Sequence, residues 1–222
     1  LIHTHFPSHA ILGEEGVEPG PEASKAALAQ VSDEEYLWII DPLDGTTNFV
    51  HGFPFFSVSI ALAYRGEVIV GVVYNPVHNE LFVAEKGKGA YLRGKRMHVS
   101  SETALRDSLI ATGFPADRKV ALAHNLKGVQ AVSPYVRNLR VAGSAALHMA
   151  YVAAGRLSGF WEIGLNAWDM AAGALLIQES GGRVTDTLGN PYHLGVRHVL
   201  ATNGHIHEEL AHHLGTAEAT GL

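Results

Sequence analysis

The chain has 222 residues, 47% of them apolar and 17% charged, which is enough for a large core, as one compact unit or two packed lobes, and typical of soluble globular proteins. Its formal charge is −6 with no basic run anywhere, so a nucleic-acid surface, which needs clustered Lys and Arg, is not expected. There are no cysteines, which excludes disulfides, thiolate metal sites and a Cys nucleophile and suits a cytoplasmic setting; no apolar stretch is long enough to span a bilayer.

The opening LIHTHFPSHA lacks the charged and apolar regions of a signal peptide. It begins mid-pattern without an initiator Met, so residues upstream of Leu1 are expected. Ala10 to Leu12 form a short apolar run that stops at Gly13-Glu14-Glu15-Gly16. Glu18 to Ser32 start polar and Pro/Gly-rich and predict a mobile excursion with a short helix. Tyr36 to Ile40 is a continuous apolar run, as in a buried strand. Strand-like runs follow over Phe55 to Tyr64, Val68 to Tyr74, Glu80 to Ala84 and Gly89 to Leu92. Turns at Arg65-Gly66, Asn75-Pro76 and Gly87 separate them, which predicts an antiparallel sheet.

The second half alternates. Lys119 to Val132 predicts a helix, Val136 to Val141 a strand, and Ser144 to Ala154 a helix capped by Ser144 and stopped by Gly155. Leu157 to Ile163 is strand-like, Ala167 to Glu179 is helical up to Gly181-Gly182, and His205 to Leu214 is the last helix. The composite is a layered α/β or α+β sandwich.

The chemistry concentrates where the Tyr36 to Ile40 strand ends, in Asp41-Pro42-Leu43-Asp44-Gly45-Thr46-Thr47-Asn48. A buried strand delivers two carboxylates three positions apart at its C-terminal end, where open α/β sheets usually bind ligands. Pro42 makes the link between them non-helical. Oxygen donors of this kind, with the Leu43 carbonyl beside them, suit a hard ion such as Mg²⁺. Gly45-Thr46-Thr47 looks like a helix start whose N–H groups could meet phosphate oxygens. Alone, the motif reads equally well as an Asx turn with a helix cap. Two further acidic positions weigh against that: Glu14-Glu15 at a Gly-flanked bend, and Asp169 opening a helix in Asn166-Ala167-Trp168-Asp169. Each has a plain alternative, as a solvated loop and as an acid favouring the helix dipole.

Taken together, Gly13-Glu14-Glu15, Trp38 to Asn48, Gly143-Ser144-Ala145-Ala146 and Trp168 to Gly173 resemble, in order and separation, the signature segments of the inositol monophosphatase family. Phe53-Pro54-Phe55, Gly87 to Tyr91 and Glu162-Ile163-Gly164 match as well, so the resemblance reaches from the first residues to about Thr202. It implies a five-layered αβαβα sandwich with its N-terminal helices absent from this chain. It would form one catalytic unit over 1–222, with lobes of roughly 1–110 and 111–222. It also implies Mg²⁺, two or three ions per chain, with Mn²⁺ as a substitute and Li⁺ as an inhibitor. Glu14, Asp41 and the Leu43 carbonyl would hold one ion; Asp41, Asp44 and Asp169 would hold another. Glu14, Thr46 and Asp41 would be catalytic, orienting a metal-activated water. Asp44, Gly45, Thr46, Gly143, Ser144, Ala145, Glu162 and Asp169 would bind the substrate, with Gly45 and Thr46 on its phosphate and Glu162 on its hydroxyls. The resemblance further implies a homodimer acting on a small phosphorylated polyol or sugar, with no nucleic-acid or membrane partner.

The expected activity is therefore Mg²⁺-dependent hydrolysis of inositol monophosphate or a related polyol phosphate. The rival substrates are fructose 1,6-bisphosphate, histidinol phosphate, 3′-phosphoadenosine phosphate and NADP; a non-catalytic, metal-stabilised interaction protein is the alternative from another class. Asn166 stands where some family members carry His, and Thr112 to Ala116 lacks a serine that others use. An upstream Asp that the family pairs with the threonine at position 46 is not in the chain. His205, His207, His212 and His213 crowd the last helix and read as solvated surface residues rather than a zinc site. His51 reads equally as a neighbour of the phosphate or as a cap, and Gly87-Lys88-Gly89 as a hairpin turn rather than a phosphate loop.

Overall fold

The computed structural model describes residues 1–114 and 121–221. After a single turn α1 (Ile2–His5), the first half forms β1 (Ala10–Gly13), a 3₁₀ turn (Glu14–Gly16), α2 (Pro21–Val31), β2 (Tyr36–Asp44), α3 (Thr46–Val50), β3 (Ser57–Tyr64), β4 (Glu67–Asn75), β5 (Glu80–Glu85), β6 (Gly89–Leu92) and β7 (Lys95–Arg96). These strands make a seven-stranded sheet in sequence order, an antiparallel meander from β2 onward with β1 added in parallel along β2.

The second half forms β8 (Leu109–Thr112), α4 (Ala121–Val132), β9 (Asn138–Val141), α5 (Ala145–Ala153), β10 (Gly159–Ile163), α6 (Ala167–Glu179), β11 (Arg183–Asp186), β12 (His198–Thr202) and α7 (His207–Thr216). Its five-stranded sheet has the order β11-β12-β10-β8-β9 and mixes parallel with antiparallel pairs.

Helices α5 and α6 lie between the two sheets, and α4 and α7 cover the far side of the five-stranded one. Small residues explain how closely the central helices approach. Strand β3 turns Ser57, Ser59, Ala61 and Ala63 inward, and a Cβ on Gly71 of β4 would stand 2.8 Å from the Ala172 carbonyl of α6. A Cβ on Gly173 would likewise stand 2.5 Å from the Met149 side chain of α5. Helix α6 is apolar almost all round, as a helix enclosed on every side must be, and its one carboxylate in the first turn is Asp169.

Sheet, helix pair, sheet and helix pair account for four of the five expected layers. The outer face of the seven-stranded sheet, with half-buried Trp38, Ile40, Val58, Ile60, Leu62, Val70 and Val72, has no comparable cover among the described residues.

Several expectations change. The Glu18 to Ser32 excursion is an eleven-residue helix, α2, started by Pro21 and packed on β1. Strands β8, β11 and β12 carry no alternation in the sequence because they are buried on both faces. The helix expected from Lys119 is seen from Ala121, with 119–120 outside the described residues, as are 115–116 of the serine-lacking stretch. His207 is buried, not solvated: its ring lies between the hydroxyls of Thr185 (3.0 Å) and Thr202 (2.9 Å). His213 stacks on Tyr135.

Candidate active site

Strand β2 carries its apolar residues into the core and then breaks register against β3 between Asp41 and Asp44. Pro42 cannot donate to the ladder, so this break is where the strand stops pairing regularly. Asp41 closes an Asx turn by accepting the Leu43 N–H at 2.9 Å, and the Thr46 hydroxyl donates to the Leu43 carbonyl at 3.0 Å. Gly45 follows in the left-handed region, φ 96°, with Phe55, Phe56 and Gly143 so near that a Cβ would come within 3.1–3.2 Å of each. Glycine is thus required twice, for its dihedral and for its lack of a side chain.

That tight turn brings the strand end against the start of α5. One oxygen of Asp44, Oδ2, accepts from the Ser144 hydroxyl and from the Ala146 N–H at 2.8 Å. Ser144 also caps α5 through the Leu147 N–H, and Gly143 takes φ 86° to reach this cap. From the other side α6 presents Asp169. Ligand oxygens of Asp41, Asp44 and Asp169 all lie within 4.8 Å of one another, although Asp169 is more than a hundred residues from the other two. Among the described residues this is the one such group of potential metal ligands.

Glu14 opens the 3₁₀ turn at the end of β1, where Gly13 pairs with Ile40. It stands outside the 4.8 Å group, yet its charge acts on Asp41, Asp44 and Asp169 alike.

Asp41 is pushed up to about 9, by burial first and then by the charges of Asp44, Asp169 and Glu14. Asp44 is pushed up to about 6 by burial, against the opposing hydrogen bonds from α5. Burial and the same neighbours hold Asp169 and Glu162 well above the usual carboxylate range. An oxygen-only donor set under this much mutual repulsion fits a hard divalent cation, which would restore the ionised forms.

Glu162, on β10, faces the cleft beside Gly113. A Cβ on Gly113 would lie 1.9 Å from the Glu162 carboxylate, so this glycine makes the room Glu162 occupies. Sequence reading missed Gly113; a glycine directly after a buried strand, with no turn to justify it, is the signal that could have found it. Asn48 closes the 41–48 motif. Its amide donates to the carbonyls of Phe55 and Ala142, both at 2.6 Å, and pins the 142–143 segment next to Gly45.

His51 ends α3, its N–H donating to the Thr47 carbonyl. The Gly87 and Gly89 N–H groups both donate to the Glu179 carboxylate, each at 2.7 Å, so that turn already holds an anion of its own.

With this geometry in view, a family model described as the inositol monophosphatase family matches residues 1–219. A protein of Solanum lycopersicum named inositol monophosphatase 2 is 46% identical, with 98% of this chain covering 82% of it. A protein of Pseudomonas aeruginosa named Nus factor SuhB is also 46% identical, over 89% of this chain and 71% of its own length. Among solved structures, the inositol monophosphatase of Anabaena superposes with a TM-score of 0.87 at 42% identity, covering 97% of this chain and 81% of that one.

Proposed function

Since the chain belongs to the inositol monophosphatase family, and so to the phosphoric monoester hydrolases, we propose that it hydrolyses a phosphate monoester of inositol or of a related polyol or sugar, with Mg²⁺ as its cofactor. The observation that carries this reading is the meeting of Asp41, Asp44 and Asp169 within 4.8 Å in a setting that leaves their charges uncompensated. Asp41, Asp44 and Asp169 hold the ions, with Glu14 and the Leu43 carbonyl completing the set. When bound there, Mg²⁺ supplies a water of lowered pKa and a positive field for the phosphate oxygens.

The chain's own groups do the rest. Thr46 and Glu14 orient the attacking water, while Gly45 and Thr46 seat the phosphate at the start of α3. Gly143, Ser144 and Ala145 line the alcohol side, and Glu162 takes a substrate hydroxyl. No side chain has to become a covalent nucleophile. The unit works as a homodimer, and its two lobes, roughly 1–110 and 111–222, meet at this cleft. The name of the Pseudomonas relative points to an interaction role as a second reading. The full set of acids favours catalysis, because a purely interacting surface has no use for buried carboxylates that raise one another's pKa.

The test is Mg²⁺-dependent phosphate release from myo-inositol 1-phosphate, fructose 1,6-bisphosphate, histidinol phosphate and 3′-phosphoadenosine phosphate, with Asp41→Asn as control. The inositol ester should be turned over fastest. Absence of release from all four, or full activity in Asp41→Asn, overturns the reading.

A further inference from the structure

Between Glu162 on β10 and Asp169 on α6 the chain turns through six residues, and three consecutive ones are held by a single residue just before β12. The carbonyl of Arg197 accepts from the Gly164 N–H at 2.8 Å and from the Leu165 N–H at 2.9 Å. Its guanidinium donates to the Asn166 side-chain oxygen at 2.7 Å. Asn166 is the residue before α6, and its own N–H donates to Asp169 Oδ2 at 2.6 Å. Gly164 takes φ 96° so that the chain can bend toward these contacts. Arg197 is placed for this by register, since it directly precedes His198, which pairs with Ile163 across β10 and β12.

We propose that Arg197 is a positioning residue for the metal-binding carboxylate Asp169, acting through Asn166. The physical argument is one of restraint. A carboxylate on the first turn of a helix can rotate about two side-chain bonds. The Asn166 N–H fixes one of its oxygens, and that N–H stays in place only while the 164–166 segment does. A planar guanidinium gripping the Asn166 amide from outside the segment supplies that restraint, and its charge also acts on Asp169. Outer-shell partners of this kind typically change metal affinity about 10–100-fold when removed. The inference rests on the proposed metal-dependent function and deepens it.

The experiment titrates Mn²⁺ into the metal-free full chain, followed by electron paramagnetic resonance, for the wild type, Arg197→Met, Arg197→Lys, Asn166→Ala and the Arg197→Met/Asn166→Ala double variant. Arg197→Met and Asn166→Ala should each weaken the tightest Mn²⁺ site about tenfold. The double variant should be no weaker than Arg197→Met alone, because both break one chain of contacts. Arg197→Lys should recover part of the loss. In the phosphatase assay the loss should appear as a raised Mg²⁺ requirement, relieved at high Mg²⁺, with KM for the substrate at saturating metal unchanged.

Unchanged Mn²⁺ affinity in Arg197→Met, fully additive effects, or a rise confined to substrate KM overturns the inference. If Arg197→Met does not fold, Asn166→Ala and Arg197→Lys decide by the same affinities. A wild type that takes up no Mn²⁺ defeats the functional reading itself; a wild type that binds while the variants match it defeats only the role of Arg197.

Discussion

Two groups of buried acids in this protein are treated in opposite ways. Glu80, at the start of β5, is buried against Arg156, whose guanidinium donates to both of its oxygens at 2.8 and 2.6 Å while lying over the Tyr151 ring at 4.7 Å. The hydrogen bonds from Arg156 hold Glu80 below the usual carboxylate range. Asp41 and Asp44 are buried and Asp169 is half-buried beside them; the Arg197 charge lowers Asp169 only in part, and all three are pushed up. Where the fold needs an acid to hold it together, the chain supplies the cation. In the cleft it gathers acids that could hold a metal ion.

The comparison breaks most sharply at Asp41. Replacing it by Asn should lower kcat/KM about 10³-fold, roughly 4 kcal/mol of transition-state stabilisation. It should also raise the melting temperature of the metal-free protein, because a buried carboxyl that must be held protonated at neutral pH is gone. A metal-free Asp41→Asn that melts lower than the wild type would show that the acids were not in conflict.

A pH series sharpens the same contrast. Asp41 and Asp44 have folded pKa values above their unfolded ones, so between about pH 4 and 9 the folded state binds more protons than the unfolded state. Metal-free stability should therefore fall as pH rises through that window and level off above it. The stabilisation by added Mg²⁺ should grow over the same range, since ligands must be ionised to bind. Calorimetry with and without metal measures both; a pH-independent gain would contradict the assignment. Glu80, depressed rather than raised, contributes in the reverse sense, and its share is lost only as pH falls through the acid range.

At the internally neutralised site the effect should be structural alone. Arg156→Met should cost about 2 kcal/mol in denaturant unfolding, by stranding Glu80, with the Mg²⁺ dependence of activity unmoved. The smallest expected change is at the Gly87–Gly89 turn. There Glu179→Gln should cost about 1 kcal/mol, by weakening two charge-assisted bonds to backbone N–H groups, again without altering metal dependence.

Much of this was legible in the amino-acid order. The meander from β2 to β6 showed as alternating runs on short turns, and α5 and α6 as capped apolar segments. The acids at 14, 41, 44 and 169 stood out because carboxylates beside buried strands and helix starts need a reason. The strands β8, β11 and β12 did not show, because two-sided burial removes the period on which strand reading depends. The exposed look of His207 misled for a related reason: a polar ring can be buried when two threonines from distant strands supply its partners.

By itself the sequence determined the local chemistry: where strands end, where a helix starts after Asp44, and which side chains are acids. Only the tertiary structure decided which of them meet. Asp169 reaches Asp41 and Asp44 because small residues on β3 and β4, and Gly173 of α6 itself, let α6 settle between α5 and the seven-stranded sheet. Gly113 and Asn48 gain their roles from neighbours far away in the chain. Such encounters depend on packing distances of a few tenths of an ångström, which depend on every layer at once and leave no local pattern along the chain.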